Sequence, residues 1–194
     1  WQDMSEHDLP AALQYVAQQT GQKVNYIGHS EGTTIMFAAL ARRDPIVVAN
    51  LNKFVALAPA VFLQHSSSIV VEIGGWIKAG KLLNAFDKFL NRKKFGWMTD
   101  MSRNLWESVC VLALDLCIER VRLLSDAKTS VDNVHRFPIT SGHYPAGSSV
   151  QNMYYWSQMF TNPDFQKFDY GTAGNQQVYG QPVPPNYDLS KITE

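Results

Sequence analysis

The sequence predicts an α/β fold, a mostly parallel sheet flanked by helices. Apolar residues recur at helical spacing before Gly21, and a short apolar run follows at residues 24–27. The pair then repeats, as a helical run through Ile35 and Leu40 and a second apolar run at residues 53–58. Helix, strand, helix, strand is the rhythm of parallel βαβ units. Between the first strand and the second helix stands Gly28-His29-Ser30-Glu31-Gly32. A G-x-S-x-G turn in that setting presents a serine at the carboxyl end of a strand, where open α/β sheets place their sites.

Each element has its own signal. Residues 3–20 read as a helix on Leu9, Leu13 and Val16, with Asp8 as a cap and Pro10 in the first turn. Gly21 ends it. The helix after Ser30 carries Ile35, Met36, Ala38, Ala39 and Leu40, small enough to lie close on a sheet, and Asp44-Pro45 stops it. Pro59 closes the second strand. From Val61 to about Pro145 the strand signals give way to helical ones: Ile69 to Ile77, Leu82 to Leu90, and a third stretch at 105–124. A further helix is predicted at 147–160 on Val150, Met153, Tyr154 and Met159, followed by turn-rich sequence at 169–171 and 180–185. The division expected is 1–61 as part of a sheet core with the serine turn, 62–145 as a helical cap, and 146–194 as a return to the core.

At 194 residues the chain can bury a sizeable core. Lysine plus arginine and aspartate plus glutamate number 17 each, so no net field attracts a polyanion, and no nucleic-acid partner is expected. The basic cluster Asn91-Arg92-Lys93-Lys94 reads as a solvated turn. No stretch has the length and apolarity of a transmembrane helix. The first residues, Trp1-Gln2-Asp3-Met4, do not form a signal peptide, and a start without Met suggests a segment of something longer. Cys110 and Cys117, in an apolar run, are read as buried free thiols, with a disulfide as the alternative. No metal site, cofactor or N-x-S/T acceptor is expected.

The chemistry centres on the turn. Ser30 is the candidate nucleophile, with Gly28 and Gly32 giving it room, and the backbone N–H of Glu31 is the candidate oxyanion donor. His29 reads as a packed residue and His143 as structural; His7, His65 and His135 have no neighbourhood signal. Asp115, Asp126 and Asp169 read as caps or surface charges, and none receives a catalytic role.

These stretches resemble the acid lipase family of α/β-hydrolases, which includes lysosomal acid lipase and gastric lipase. The likeness rests on Ser5-Glu6-His7-Asp8-Leu9-Pro10-Ala11 and Thr20-Gly21-Gln22-Lys23, on Tyr26-Ile27-Gly28-His29-Ser30-Glu31-Gly32-Thr33-Thr34, and on Phe54-Val55-Ala56-Leu57-Ala58-Pro59. It is most specific at His143-Tyr144-Pro145-Ala146-Gly147-Ser148-Ser149-Val150-Gln151-Asn152-Met153, Trp156, Gln158 and Phe168-Asp169-Tyr170-Gly171. Tyr179-Gly180 and Pro184-Pro185-Asn186-Tyr187-Asp188-Leu189 complete it, and it is weakest across residues 62–105.

The resemblance implies an α/β-hydrolase fold with a helical cap or lid, incomplete at both ends, and a serine lipase of triacylglycerols or cholesteryl esters, lysosomal or secreted. It implies a Ser-Asp-His triad without metal or cofactor. Ser30 would be the nucleophile and Glu31, where the family usually has Gln, the oxyanion donor. The triad Asp and His would lie beyond residue 194, and a second oxyanion donor before residue 1. The isolated segment is then expected to be inactive and poorly stable. The cap's bulky residues would line an acyl pocket or touch a lipid surface, although each singly reads better as the cap's own core. The rival reading is an inactive lipid-binding or interaction protein that keeps the fold. A protease or acyltransferase on the same fold is a third.

Overall fold

The first helical run passes straight through its expected cap. In a computed structural model, which describes residues 1–64, 94–95, 100–124, 133–143 and 146–193, a π-helical turn at Met4–Asp8 continues into α1, Leu9–Thr20. Asp8 is itself helical and its side chain caps nothing, so that expectation is corrected. The cause is Pro10, which lacks an N–H and would press on the carbonyl four residues back in a regular helix; the wider turn before it relieves that contact. Gly21 ends α1 in the left-handed region (φ 67°), its N–H on the Ala17 carbonyl at 2.8 Å. Leu9 and Leu13 are buried, whereas Val16 is exposed and drops out of the predicted stripe.

Strand β1, Val24–His29, leads through Ser30 into α2, Glu31–Ala41. Asp44-Pro45 stops α2, as predicted, and also starts a short helix the sequence reading missed, α3, Pro45–Asn50. Arg43 takes the left-handed conformation (φ 52°), and the Arg43 and Asp44 amides cap the Leu40 and Ala39 carbonyls. The Asp44 carboxylate then accepts from the Ile46 and Val47 amides at 3.1 Å each, with Pro45 beside it in the first turn. Strand β2, Leu51–Leu57, pairs parallel with β1, Tyr26 opposite Phe54 and His29 opposite Leu57. One face of this pair joins Leu9, Leu13, Met36, Ala39, Leu40 and Val47 in a core with Val24, Tyr26, Leu51 and Phe54. The other face presents Ile27, Val55 and Leu57, all exposed. His29 shares the strand parity of Ile27 and is likewise exposed, not packed as expected.

The chain divides into two compact units, Trp1–Ser66 with Gln158–Glu194, and Ser67–Ser157. The second unit contains β3, Lys94–Phe95, then α4, Asp100–Leu112, and α5, Leu114–Leu124. One continuous helix across 105–124 would have held Cys110 and Cys117 roughly 10 Å apart at ~1.5 Å rise per residue. The break at Ala113 folds the two helices back, the Cα atoms approach to 5.5 Å, and the cysteines form a disulfide. The reading as free thiols is thereby corrected. A helix not foreseen, α6, Phe137–His143, sets Gly142 close against Glu107 of α4. Strand β4, Ser148–Ser149, pairs antiparallel with β3, and α7, Val150–Thr161, follows with its Asn152 amide capped by Ser149 Oγ at 3.0 Å. The helical runs predicted at 69–77 and 82–90, with His65, Asp126 and most of the basic cluster, lie outside the described residues. Among the described residues no helix is long and apolar enough to cross a membrane.

Residues 158–193 return to the first unit and are tied by side-chain amides. Gln158 reads both backbone groups of Asp169, donating to its carbonyl at 2.8 Å and accepting from its N–H at 2.9 Å. Asp169 accepts from the Gly171 amide, consistent with its reading as a cap. Between the two predicted turns lies α8, Thr172–Tyr179, with too little apolar periodicity to be seen beforehand. Gln2 accepts from the Phe168 amide at 3.0 Å, and Glu6 pairs with Lys167 at 3.0 Å, so the chain's first helical turns hold this segment. Burial, reinforced by Tyr170 and nearby carboxylates, pushes the Tyr179 phenol up to about 12, which keeps it a donor to the Phe168 carbonyl at neutral pH.

Asn175, 1% exposed, accepts from the Tyr170 amide and donates to Asp169 Oδ1 and the Pro182 carbonyl. Asn175→Ala would remove all three bonds at a buried position and is expected to cost about 1–3 kcal/mol, read by urea unfolding. A loss under about 1 kcal/mol would show that water replaces the amide.

Candidate active site

Ser30 occupies a conformation that non-glycine residues avoid. Its φ of 51° with ψ of −116° falls outside the ordinary left-handed well, at a cost on the order of 1–3 kcal/mol. Three contacts hold it there. The Ser30 N–H donates to the carbonyl of Leu57, the last residue of β2, at 3.0 Å. The Ser30 carbonyl accepts from the Thr33 N–H at 2.9 Å and from Thr33 Oγ1 at 2.6 Å. The result is a serine at the carboxyl end of β1, half-buried and directly preceding α2.

The two glycines of the motif are unequal. A Cβ on Gly28 would sit 2.8 Å from the Gly32 carbonyl oxygen and 2.9 Å from Tyr26 Cε1. One on Gly32 would meet only Tyr26 Oη, at 3.3 Å. Gly28 is therefore the position where strand and helix backbones touch. Tyr26, on the same face of β1, donates from its hydroxyl to the Gly32 carbonyl at 3.0 Å, and burial raises its pKa above the usual phenol value. Sequence reasoning did not single out this clamp; the period-2 spacing of Tyr26 and Gly28 was its available signal.

Glu31 begins α2, half-buried. Its N–H stands at the positive end of the helix, and a carboxylate in the first turn is compatible with the helix dipole. Thr33 and Thr34, both fully buried, were also missed. Thr33 Oγ1 accepts from the Ala60 N–H at 3.1 Å, and Thr34 Oγ1 donates to the Ala60 carbonyl at 2.6 Å. Paired hydroxyls in a helix otherwise built of small and apolar residues were the hint. Together these bonds tie α2 to the segment that leaves β2, where Ala58 also has positive φ, 48°.

No histidine among the described residues is hydrogen-bonded to Ser30. His143 bonds through Nδ1 to the Ile139 carbonyl of its own helix, and His7, His29 and His135 are exposed. Asp115 is exposed in the first turn of α5. Among the described residues, no group of three or more His, Cys, Asp or Glu is placed to hold a metal ion.

No family model matches the chain. It is 34% identical to the gastric triacylglycerol lipase of Rattus norvegicus over 98% of its own length and 48% of the relative's. It is 35% identical to the lysosomal acid lipase/cholesteryl ester hydrolase of Macaca fascicularis over 99% of its length and 48% of that protein. The human gastric triacylglycerol lipase gives 31% over 98% and 47%. The chain thus spans about half the length of the relatives it matches. The likeness carries the α/β-hydrolase fold with it, and the parallel pair β1–β2 flanked by helices agrees. This similarity, at 31–35% identity through nearly all of its residues, supports placing the chain as a segment of the gastric and lysosomal acid lipase family.

Proposed function

We propose that the chain carries the nucleophile of a serine ester hydrolase that cleaves neutral lipid esters. The supporting observation is the Ser30 backbone, held at positive φ between a parallel strand and a helix. Ser30 Oγ attacks the ester carbon, the carbonyl oxygen becomes an oxyanion at the Glu31 N–H, and the alcohol leaves a serine-bound acyl group that water releases. A histidine oriented by an aspartate, supplied by chain beyond these residues, takes the Ser30 proton and gives it to the departing alcohol oxygen. Triacylglycerol and cholesteryl ester are the substrates proposed, because they appear in the relatives' names.

The second unit is proposed as the cap and as a transient contact with lipid surfaces. Met101, Leu105, Val111 and Leu112 of α4 support this, being exposed, Leu112 at 87%. A lysosomal or secreted location fits the relatives, and the Cys110–Cys117 disulfide suits an oxidising compartment. The exposed apolar residues of α4 suit one rival equally well, a lipid-binding relative that has lost catalysis.

Exposure of the native protein to a fluorophosphonate, with peptide mapping and assays on triolein and cholesteryl oleate, separates the two. Labelling confined to Ser30 together with ester cleavage is expected. Liposome binding with neither labelling nor cleavage would establish the rival.

A further inference from the structure

We infer that Thr33 is a positioning residue that aims the Glu31 N–H at the oxyanion; the inference rests on the ester-hydrolase reading of Ser30. The Ser30 carbonyl and the Glu31 N–H are opposite ends of one peptide unit. That unit is planar, so whatever grips its oxygen also sets the direction of its hydrogen. The oxygen is gripped twice, by the Thr33 N–H at 2.9 Å and by Thr33 Oγ1 at 2.6 Å.

The hydroxyl has no freedom to do otherwise. A carbonyl only accepts, so the single Thr33 hydroxyl proton is committed to Ser30. The Ala60 N–H only donates, so at 3.1 Å it occupies an acceptor site on the same oxygen. The side chain is 0% exposed and β-branched, with few rotamers open to it in a helix. Thr33 therefore links the segment leaving β2 to the peptide that carries the oxyanion donor. A donor aimed in advance stabilises charge that develops only in the transition state, so its loss falls on kcat more than on KM.

Thr34 is the internal control. It is equally buried and bonds the other backbone group of Ala60, at 2.6 Å, but that hydroxyl bond does not reach the Ser30–Glu31 peptide. A purely structural tether would make the two threonines equivalent.

The test compares Thr33→Val, Thr33→Ser and Thr34→Val with Ser30→Ala in the native protein. Steady-state kinetics on a soluble p-nitrophenyl ester, fluorophosphonate labelling rates and Tm are measured for each. Thr33→Val is expected to lower kcat about 10- to 100-fold with KM within about twofold, and to slow labelling in proportion. Thr33→Ser should recover to within about threefold, and Thr34→Val should lose Tm yet keep kcat within about threefold of wild type. If Thr33→Val does not fold, Thr33→Cys preserves the volume with a weaker donor and carries the same comparison. Equal kcat losses in the two valine variants, tracking Tm, would overturn the inference. So would an unchanged kcat in Thr33→Val beside a dead Ser30→Ala, which leaves the ester-hydrolase reading intact. Activity in Ser30→Ala would instead remove that reading, and the inference with it.

Discussion

Ser30→Ala is expected to reduce ester hydrolysis by the native protein about 10⁴-fold or more, since nothing else in the turn can form the acyl bond. Stability should move little, because alanine keeps the Cβ that makes φ of 51° costly. Ser30→Gly adds a second reading. It removes the nucleophile and also relieves the strain, so it should be equally inactive yet raise the unfolding free energy by roughly 1 kcal/mol. The pair is read by p-nitrophenyl ester turnover and by urea unfolding. A glycine variant less stable than the alanine one would mean that the surrounding bonds, not the serine backbone, determine the geometry. Residual activity near wild type in either would place the nucleophile elsewhere.

Gly28→Ala is expected to be the most disruptive change of a single methyl group. Its Cβ would press on the Gly32 carbonyl at 2.8 Å, and that carbonyl is already fixed by the Tyr26 hydroxyl. Relief requires moving α2 away from β1, which carries Ser30 and Glu31 with it. Overpacking of this kind costs about 1–3 kcal/mol, and a displacement near 1 Å at a reacting group can cost about 10²-fold in rate. Gly32→Ala meets only the end of the Tyr26 side chain and should lose less than about tenfold. Parallel kcat/KM and Tm measurements on the two variants check the order. Equal losses would show that the close approach of Gly28 to the Gly32 carbonyl does not set the cost.

The features that were legible in the sequence are those written within a few neighbouring residues. The β1–Ser30–α2 passage was visible because a strand period, a small-residue turn and a helix period follow one another without a gap. Gly21 and Asp44-Pro45 were visible as stops for the same reason. Asp44-Pro45 was nevertheless half read, because a cap looks alike from either side and α3 offers only six residues of pattern. The Cys110–Cys117 bond depended on a helix break at Ala113, where no glycine or proline announces it. At the candidate site, Ser30 and Glu31 were named from the motif, whereas Tyr26, Thr33 and Thr34 were not. Their importance lies in partners across the fold, Gly32 and Ala60, and neither threonine carries a periodic signal.

The first unit's two stretches are separated in the chain by about ninety residues. During synthesis, β1, α2 and β2 leave the ribosome long before Phe168 and Lys167, which Gln2 and Glu6 hold. At roughly 5–20 residues per second, the nascent serine turn waits several seconds for its platform. Over that interval the strained turn must persist on local bonds alone, or form only when the later residues arrive. The first unit is thus completed only when its second stretch arrives, and its maturation is timed by the excursion between the two.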